Sequence, residues 1–310
     1  MDIVRLNAGE PVPPSLRGAV IALGNFDGFH LGHQAVVGEA LGWARAEQRP
    51  AIVATFDPHP VRFFAPGSPP FRLTTLDQRE ELFGAAGADA MLVFEFGAAL
   101  AATSAEVFVK DLLADRLGVA GVVTGEDFTF GKGRAGNVAV LQQLGAPCGL
   151  AARAVGPVSD AGQVVSSSRI RDALKAGDCA TATHLLTRPF AVRGEVRHGA
   201  KLGRSIGYPT ANLEMGSYLR PRYGIYAVTG TLPGGQVLHG AANLGIRPSF
   251  EPPIELLEAY FFDYSGDLYG QTIEIALHHY LRGEEKFETL EALTAQMERD
   301  CALARELLGG

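Results

Sequence analysis

Only three cysteines are present, Cys148, Cys179 and Cys301, far apart and with no CxxC pair. The odd count and wide spacing argue against a disulfide framework or a structural zinc site and fit a reducing cytoplasm. Basic charge is not in excess: 27 Lys and Arg face 34 Asp and Glu, a formal net charge of −7. The basic footprint of a nucleic-acid partner is therefore missing, and none is expected. No run of about 18 apolar residues occurs, so no membrane span is expected. The opening MDIVRLNAGEPVPP holds two acids and three prolines, which is not a signal-peptide composition. Apolar residues are plentiful: 47% hydrophobic with 20% charged sits close to the globular average and makes disorder and coiled coil poor readings. At about 100–200 residues per domain, 310 residues point to two domains.

The first half alternates two patterns. Short apolar runs at 19–26, 51–56, 90–96, 121–125 and 149–155 read as buried strands, and helical periodicity covers roughly 31–47, 77–86, 104–117 and 137–144. Near-continuous apolar strands separated by helices predict a parallel sheet covered on both faces, with ligands at the carboxyl ends of its strands. Near residue 184 the character changes. Strand-like segments at 190–199, 223–232, 236–246, 256–264 and 271–281 follow one another through turns, with Gly234-Gly235 as a hairpin signal. A closing stretch at 286–308 places Leu290, Leu293, Met297, Cys301, Ala304 and Leu308 at helical spacing. The second half thus predicts a small antiparallel barrel with one helix. The expected domains are 1–183 and 184–310.

GNFDGFHLGH (24–33) follows an apolar strand and opens a helix. His30 and His33 share a helical face, and the free N–H groups there suit an anion such as a triphosphate. Two imidazoles at that point can donate to charge that develops at a phosphorus atom. The stretch also fits a plain helix start capped by Asp27 with incidental histidines. SSSRIRDAL (166–174) opens another helix, where Arg169 and Arg171 could meet phosphate oxygens and Ser166, Ser167 and Ser168 could donate at the helix start, or the stretch is an ordinary cap followed by solvated arginines. TFDPHP (55–60) ends the second strand in a rigid turn. Gly131, Gly133 and Gly136 match G-x-G-x-x-G, but the loop holds three aromatic or hydroxyl residues and follows the fourth strand, so the dinucleotide reading fails on context. No Walker A loop is present.

In the second half HGAKLGRSIGYPTANLE (198–214) is rich in glycine and basic residues. Thr210 and Asn212 alternate in a strand-like segment, so both side chains project from one face. A hydroxyl and an amide oxygen are hard ligands suited to Mg²⁺. A glycine-rich hairpin with a polar face is the simpler alternative. Glu258 lies among Leu256, Leu257, Tyr260 and Phe261, where a general base would explain it and so would a solvent-facing position.

These stretches, in this order with ANLGIRPSF, LEAYFFDYSGDLYG and LRGEEKF, resemble the bacterial bifunctional riboflavin kinase/FMN adenylyltransferase family over roughly 15–307. The resemblance implies an N-terminal Rossmann-like nucleotidyltransferase domain and a C-terminal kinase barrel. It implies phosphorylation of riboflavin to FMN and adenylylation of FMN to FAD, each with ATP and Mg²⁺. Together with the cysteine usage the expectation is a cytoplasmic enzyme, and a monomer is favoured with the oligomeric state left open. In the adenylyltransferase it places Gly24, Asn25, Phe26, Asp27, Gly28, Asp127, Ser167 and Ser168 at ATP or FMN, and His30, His33 and Arg171 in catalysis. In the kinase it places Lys201, Gly203, Arg204 and Gly207 at ATP or flavin, Thr210 and Asn212 at metal and ATP, and Glu258 as the base. Ser168, Ser249 and Phe29 depart from the usual residues of this family.

Overall fold

The computed structural model describes residues 3–198, 208–247 and 254–309. The chain divides into two compact units, Met1–Pro69 with Thr75–Ser166, and Pro70–Thr74 with Ser167–Gly310.

The first unit is built on six parallel strands: β1 Val4–Asn7, β2 Val20–Leu23, β3 Ala51–Asp57, β4 Ala90–Glu95, β5 Gly121–Gly125 and β6 Ala151–Val155. Their order is β1-β4-β3-β2-β5-β6. The five strands expected from the apolar runs are all present, and β1 is added at the edge, paired parallel with β4. Its residues are mostly exposed, so β1 lacks the continuous apolar run that reveals a central strand. Alternate residues of β2, β3, β4 and β5 feed two separate cores. Ile21, Leu23, Ile52, Ala54 and Val122 point to one face; Val20, Ala22, Val53, Met91 and Val123 point to the other. Such two-sided burial is what removes polar alternation from the strands.

Helix α1 (Leu31–Ala46) covers one face with Val36, Val37, Ala40, Trp43 and Ala44, a one-sided helical stripe. Trp43 packs on Gly121 so closely that a Cβ there would stand 2.6 Å from the ring. The short α2 (Pro60–Phe64) follows β3, and α3 (Leu76–Ala86) begins in a reciprocal cap between Thr75 and Gln78. Phe108–Arg116, expected as ordinary helix, winds as a π-helix, with Leu117 N–H donating to Leu112 O. The wider turn carries Phe108, Val109 and Leu113 together into the core.

The second unit begins with α7 (Ser167–Ala176) and α8 (Cys179–Leu186), numbered after α4 (Ala98–Ala102), α5 (Ala105–Val107) and α6 (Val138–Gly145) of the first unit. After a two-residue hairpin pair of the first unit, β7 (Ser159–Asp160) and β8 (Gln163–Val164), come the strands β9 Phe190–Glu195, β10 Ala211–Glu214, β11 Gly224–Thr231, β12 Val237–Arg247, β13 Ile254–Phe261 and β14 Thr272–Arg282. They form an antiparallel sheet ordered β10-β13-β12-β11-β14-β9. Arg197 N–H donates to Asn212 O at 2.9 Å just beyond β9, which brings the two edges together into a nearly closed barrel. Fully buried Tyr226 stands opposite Ala242, and the row continues through Ala259 to Ala211, a large side chain set in line with small ones.

The C-terminal helix, Leu290–Leu308, starts at the Thr289 cap. Its Cys301, Ala304 and Leu308 pack over Ala227, Ala241 and Phe262. Leu290, read from periodicity as part of the same stripe, is exposed. The buried stripe instead includes Asp300, which is held by Arg282 Nη2 at 2.7 Å and Nε at 2.9 Å. A carboxylate on the buried face is tolerated there because its charge is paired and hydrogen-bonded.

Candidate active sites

In the first unit the chain runs β2, β3, β4 outward and then returns past β2 to β5. Open parallel sheets bind ligands at such a reversal, beyond the carboxyl ends of the strands. Both the GNFDGFHLGH turn after β2 and the GEDF turn after β5 stand at that point.

The turn is tightly specified. Phe26 and Phe29 adopt positive φ (49° and 44°), as does Gly28 (91°). Non-glycine residues adopt such backbone only where their surroundings hold them. Here Phe26 and Phe29 both set their rings edge-on to Phe83, at 5.9 and 5.2 Å. That contact is also the structural role of Phe29, the departure from the family pattern: its ring is buried core. Phe29 N–H donates to Phe26 O at 3.1 Å, closing the turn.

Asp27 is buried but does not cap the helix; His30 does. His30 Nδ1 accepts from His33 N–H at 3.4 Å, which leaves Nε2 as its donor. The rings of His30 and His33 stack, and Phe26 meets His33 edge-on at 5.3 Å. At Gly32 a Cβ would stand 3.2 Å from His30 Cε1, a tight approach to the ring. Asn25 Oδ1 is buried with no hydrogen-bond partner among the described residues. A buried oxygen in that state is an acceptor open to a donor. Asp127 folds against Gly125, its Oδ1 2.9 Å from where a Cβ would be.

Arg79, which the sequence did not single out, is buried behind this turn. Its Nη1 donates to Asn25 O at 3.0 Å and to Thr55 Oγ1 at 2.8 Å, and its Nε to Thr75 O at 3.4 Å. Thr55 also donates to Asn25 O, at 2.8 Å. One guanidinium thus ties α3, β3 and the turn together. A patch of aromatic rings sits at the carboxyl ends of β3 and β4: Phe56, Phe63, Phe64 and Phe96, with Phe64 69% exposed. Nothing in the spacing of these residues announced the patch, because it is assembled from the end of β3, helix α2 and the residue after β4.

The glycine triplet at 131–136 has a packing explanation. Phe130 and Gly136 exchange backbone hydrogen bonds of 3.0 and 2.9 Å, and a Cβ at 136 would strike the Phe130 ring at 2.7 Å. The loop opens no long helix; α6 begins afterwards, capped by Asn137.

Ser167 and Ser168 lie in the first turn of α7, in the second unit. Arg171 Nε donates to Phe71 O at 2.9 Å, with the guanidinium over the Phe71 ring.

In the barrel, register gathers three of the polar residues. Asn212 on β10 stands opposite Glu258 on β13, and Glu258 stands opposite Asn243 on β12. Directly paired residues share a face with Cβ atoms about 4.5–5.5 Å apart. Asn212 is buried; its Nδ2 donates to Thr210 O at 3.2 Å and Arg197 O at 3.4 Å. Its Oδ1 has no partner among the described residues, and neither does Asn243 Oδ1. Glu258 between them is half-buried. The donor set is oxygen only, which suits a hard cation such as Mg²⁺. Among the described residues no cluster of three or more His, Cys, Asp or Glu could hold a metal. Lys201, Gly203, Arg204, Gly207 and Ser249 lie outside the described residues. Asn243 was quoted in ANLGIRPSF without a role; only strand register reveals that it faces Glu258.

Three residues along β13, on its opposite face, Glu255 accepts from Tyr223, and Arg220 Nε donates to the other oxygen of the same carboxylate at 2.5 Å. Burial and the Glu255 partner push the Tyr223 hydroxyl up to about 12. Burial works against ionisation of Glu255, but bonds from Tyr223 and Arg220 outweigh it and hold the carboxyl below its ordinary value.

The family model of FAD synthetase matches residues 12–169, and that of riboflavin kinase matches 186–308. A bifunctional riboflavin kinase/FMN adenylyltransferase of Escherichia coli (strain K12) is 38% identical over 94% of this chain and 93% of its own. One from Pseudomonas fluorescens is 39% identical over 95% and 94%. A crystal structure described as a macrolide-efflux protein from Streptococcus pneumoniae is 29% identical, with a TM-score of 0.87 over 98% of this chain and 99% of its own. Among the described residues no helix is long and apolar enough to cross a membrane.

Proposed function

This chain belongs to the bifunctional riboflavin kinase/FMN adenylyltransferase family, and from that we propose how its own residues divide the two reactions. Residues 1–183 carry FMN adenylylation and 184–310 carry riboflavin phosphorylation, although α7 and α8 pack with the barrel unit.

In the kinase, Glu258 accepts the proton of the primary hydroxyl of riboflavin, whose oxygen then attacks the γ-phosphorus of ATP; FMN and ADP leave. Thr210 and Asn212 hold the nucleotide end, with Lys201, Gly203, Arg204 and Gly207 of the preceding loop at the phosphates or flavin. Thr210 and Asn212 would also hold Mg²⁺, which when bound neutralises phosphate charge. In the adenylyltransferase, a phosphate oxygen of FMN attacks the α-phosphorus of a second ATP, giving FAD and pyrophosphate. His30 and His33 donate to the charge that builds there. Gly24 to Gly28 cradle the nucleotide, Asn25 Oδ1 accepts from it, and Asp127 borders the site. Ser167, Ser168 and Arg171 meet the departing pyrophosphate. The exposed Phe64 and its neighbours offer a flat apolar seat for the isoalloxazine ring. The wide spacing and odd count of the three cysteines support a cytoplasmic enzyme, and with both sites on one chain a monomer suffices.

The observation that carries this reading is the Asn212–Glu258–Asn243 row: a carboxylate between two buried amide oxygens that have no partner among the described residues. The test is to incubate purified protein with riboflavin, ATP and MgCl₂ and to separate flavins by chromatography. FMN followed by FAD is expected. Riboflavin alone at the end would overturn the reading.

A further inference from the structure

We propose that Asn243 is a substrate-binding residue of the kinase site, accepting from a hydroxyl of the riboflavin side chain through Oδ1. The inference rests on the kinase reading of Glu258.

Three observations carry it. Asn243 faces Glu258 directly across the β12–β13 pair, so its side chain shares the face that holds the base. Its Oδ1 is buried and has no hydrogen-bond partner among the described residues, a state that native structures rarely leave unexplained. The third is order. Across β10, β13 and β12 the row reads Asn212, Glu258, Asn243. A general base must lie between the group that holds the phosphoryl donor and the group that holds the acceptor. With Asn212 on the nucleotide side, Asn243 falls on the other side, where the polyol hydroxyls arrive. An amide oxygen is an acceptor with two lone pairs, matched to hydroxyl donors.

The order makes a directional claim: Asn243 affects riboflavin, not ATP. Asn243→Ala removes the acceptor, and Asn243→Ser returns an oxygen in nearly the same volume. With the full chain, Asn243→Ala is expected to raise KM for riboflavin about tenfold, the worth of one neutral hydrogen bond, with KM for ATP within about twofold. Asn243→Ser recovers most of the loss. Quenching of riboflavin fluorescence in the absence of ATP reads the same weakening without turnover. The kinase kcat at saturating riboflavin, together with urea unfolding, reports whether the barrel is folded. A riboflavin KM within twofold of the parent, an equal rise in both KM values, or Ser behaving like Ala would overturn the proposal. A parent chain that forms FAD from FMN but no FMN from riboflavin would instead overturn the kinase reading on which it rests.

Discussion

The imidazole rings of His30 and His33 lie face to face, 3.6 Å between centroids and 20° from parallel. The two are not equivalent, because His30 also caps α1 by accepting from the His33 backbone. His33→Ala is expected to lower FAD formation by about 10²-fold or more while leaving riboflavin phosphorylation and stability near the parent values. His30→Ala should lower FAD formation and also cost about 1 kcal/mol of stability through the lost cap. His30→Asn should return the stability without the turnover. Flavin chromatography and urea unfolding of the three variants check this, and a His30→Ala chain as stable as the parent would remove the capping role.

Glu258→Gln keeps the shape of the side chain and removes its basicity. FMN formation should fall by about 10²–10⁴-fold, while FMN still becomes FAD, because the histidine turn belongs to the other unit. If FMN forms at the parent rate, Glu258 is not the base.

Arg79 acts on the nucleotide turn from behind, through Asn25 O and Thr55 Oγ1. Arg79→Met removes the donors and retains most of the volume. Leaving a buried acceptor unsatisfied costs about 1–3 kcal/mol, so urea unfolding of the first unit should shift down. Asn25 O is then held by the Thr55 hydroxyl alone, so KM for ATP in FAD formation should rise more than kcat falls. Riboflavin phosphorylation serves as the unaffected comparison, and equal effects on both reactions would refute a local role.

The sheet was legible because burial on both faces writes itself into β2 to β5 as continuous apolar runs. The barrel was legible as turn-linked strands, although β10, only four residues long, carried no strand signal of its own apart from the Thr210 and Asn212 alternation. His30, His33, Asn212 and Glu258 were legible because polar residues in apolar or glycine-rich settings stand out locally. Asn243 and Arg79 did not, since each gains its meaning from a partner distant in sequence: Asn243 from register with Glu258, Arg79 from a carbonyl 54 residues away. The alternative of a plain helix start capped by Asp27 differs from the structure for a similar reason. Asp27 is the commoner capping residue type, but the positive φ at Phe26, Gly28 and Phe29 turns the chain so that His30 reaches the helix start.

Gly121 presents a simpler case of long-range constraint. Its position on β5 meets Trp43 of α1, and a Cβ would stand 2.6 Å from the indole. Gly121→Ala must push the helix or the ring aside, at about 1–3 kcal/mol for overpacking a closed core. The loss should appear as a lower urea midpoint, with Trp43 fluorescence as the probe. A midpoint equal to that of the parent would mean that α1 shifts freely on the sheet.

His278 gives the barrel a pH dependence whose sign can be worked out. Its Nε2 lies 2.9 Å from Thr229 Oγ1. Burial, followed by repulsion from His279 and His239, lowers its pKa below the ordinary 6.5. The unfolded chain therefore binds a proton at a pH where the folded chain does not, so stability rises with pH across that interval. The contribution is complete above about 6.5, the unfolded value, and is lost as pH falls through the lower folded value. Urea midpoints should fall between pH 7.5 and pH 5.5, and His278→Gln, which keeps a polar partner for Thr229 but cannot take the proton, should flatten that decline. A decline in His278→Gln as steep as in the parent would assign the effect to other groups.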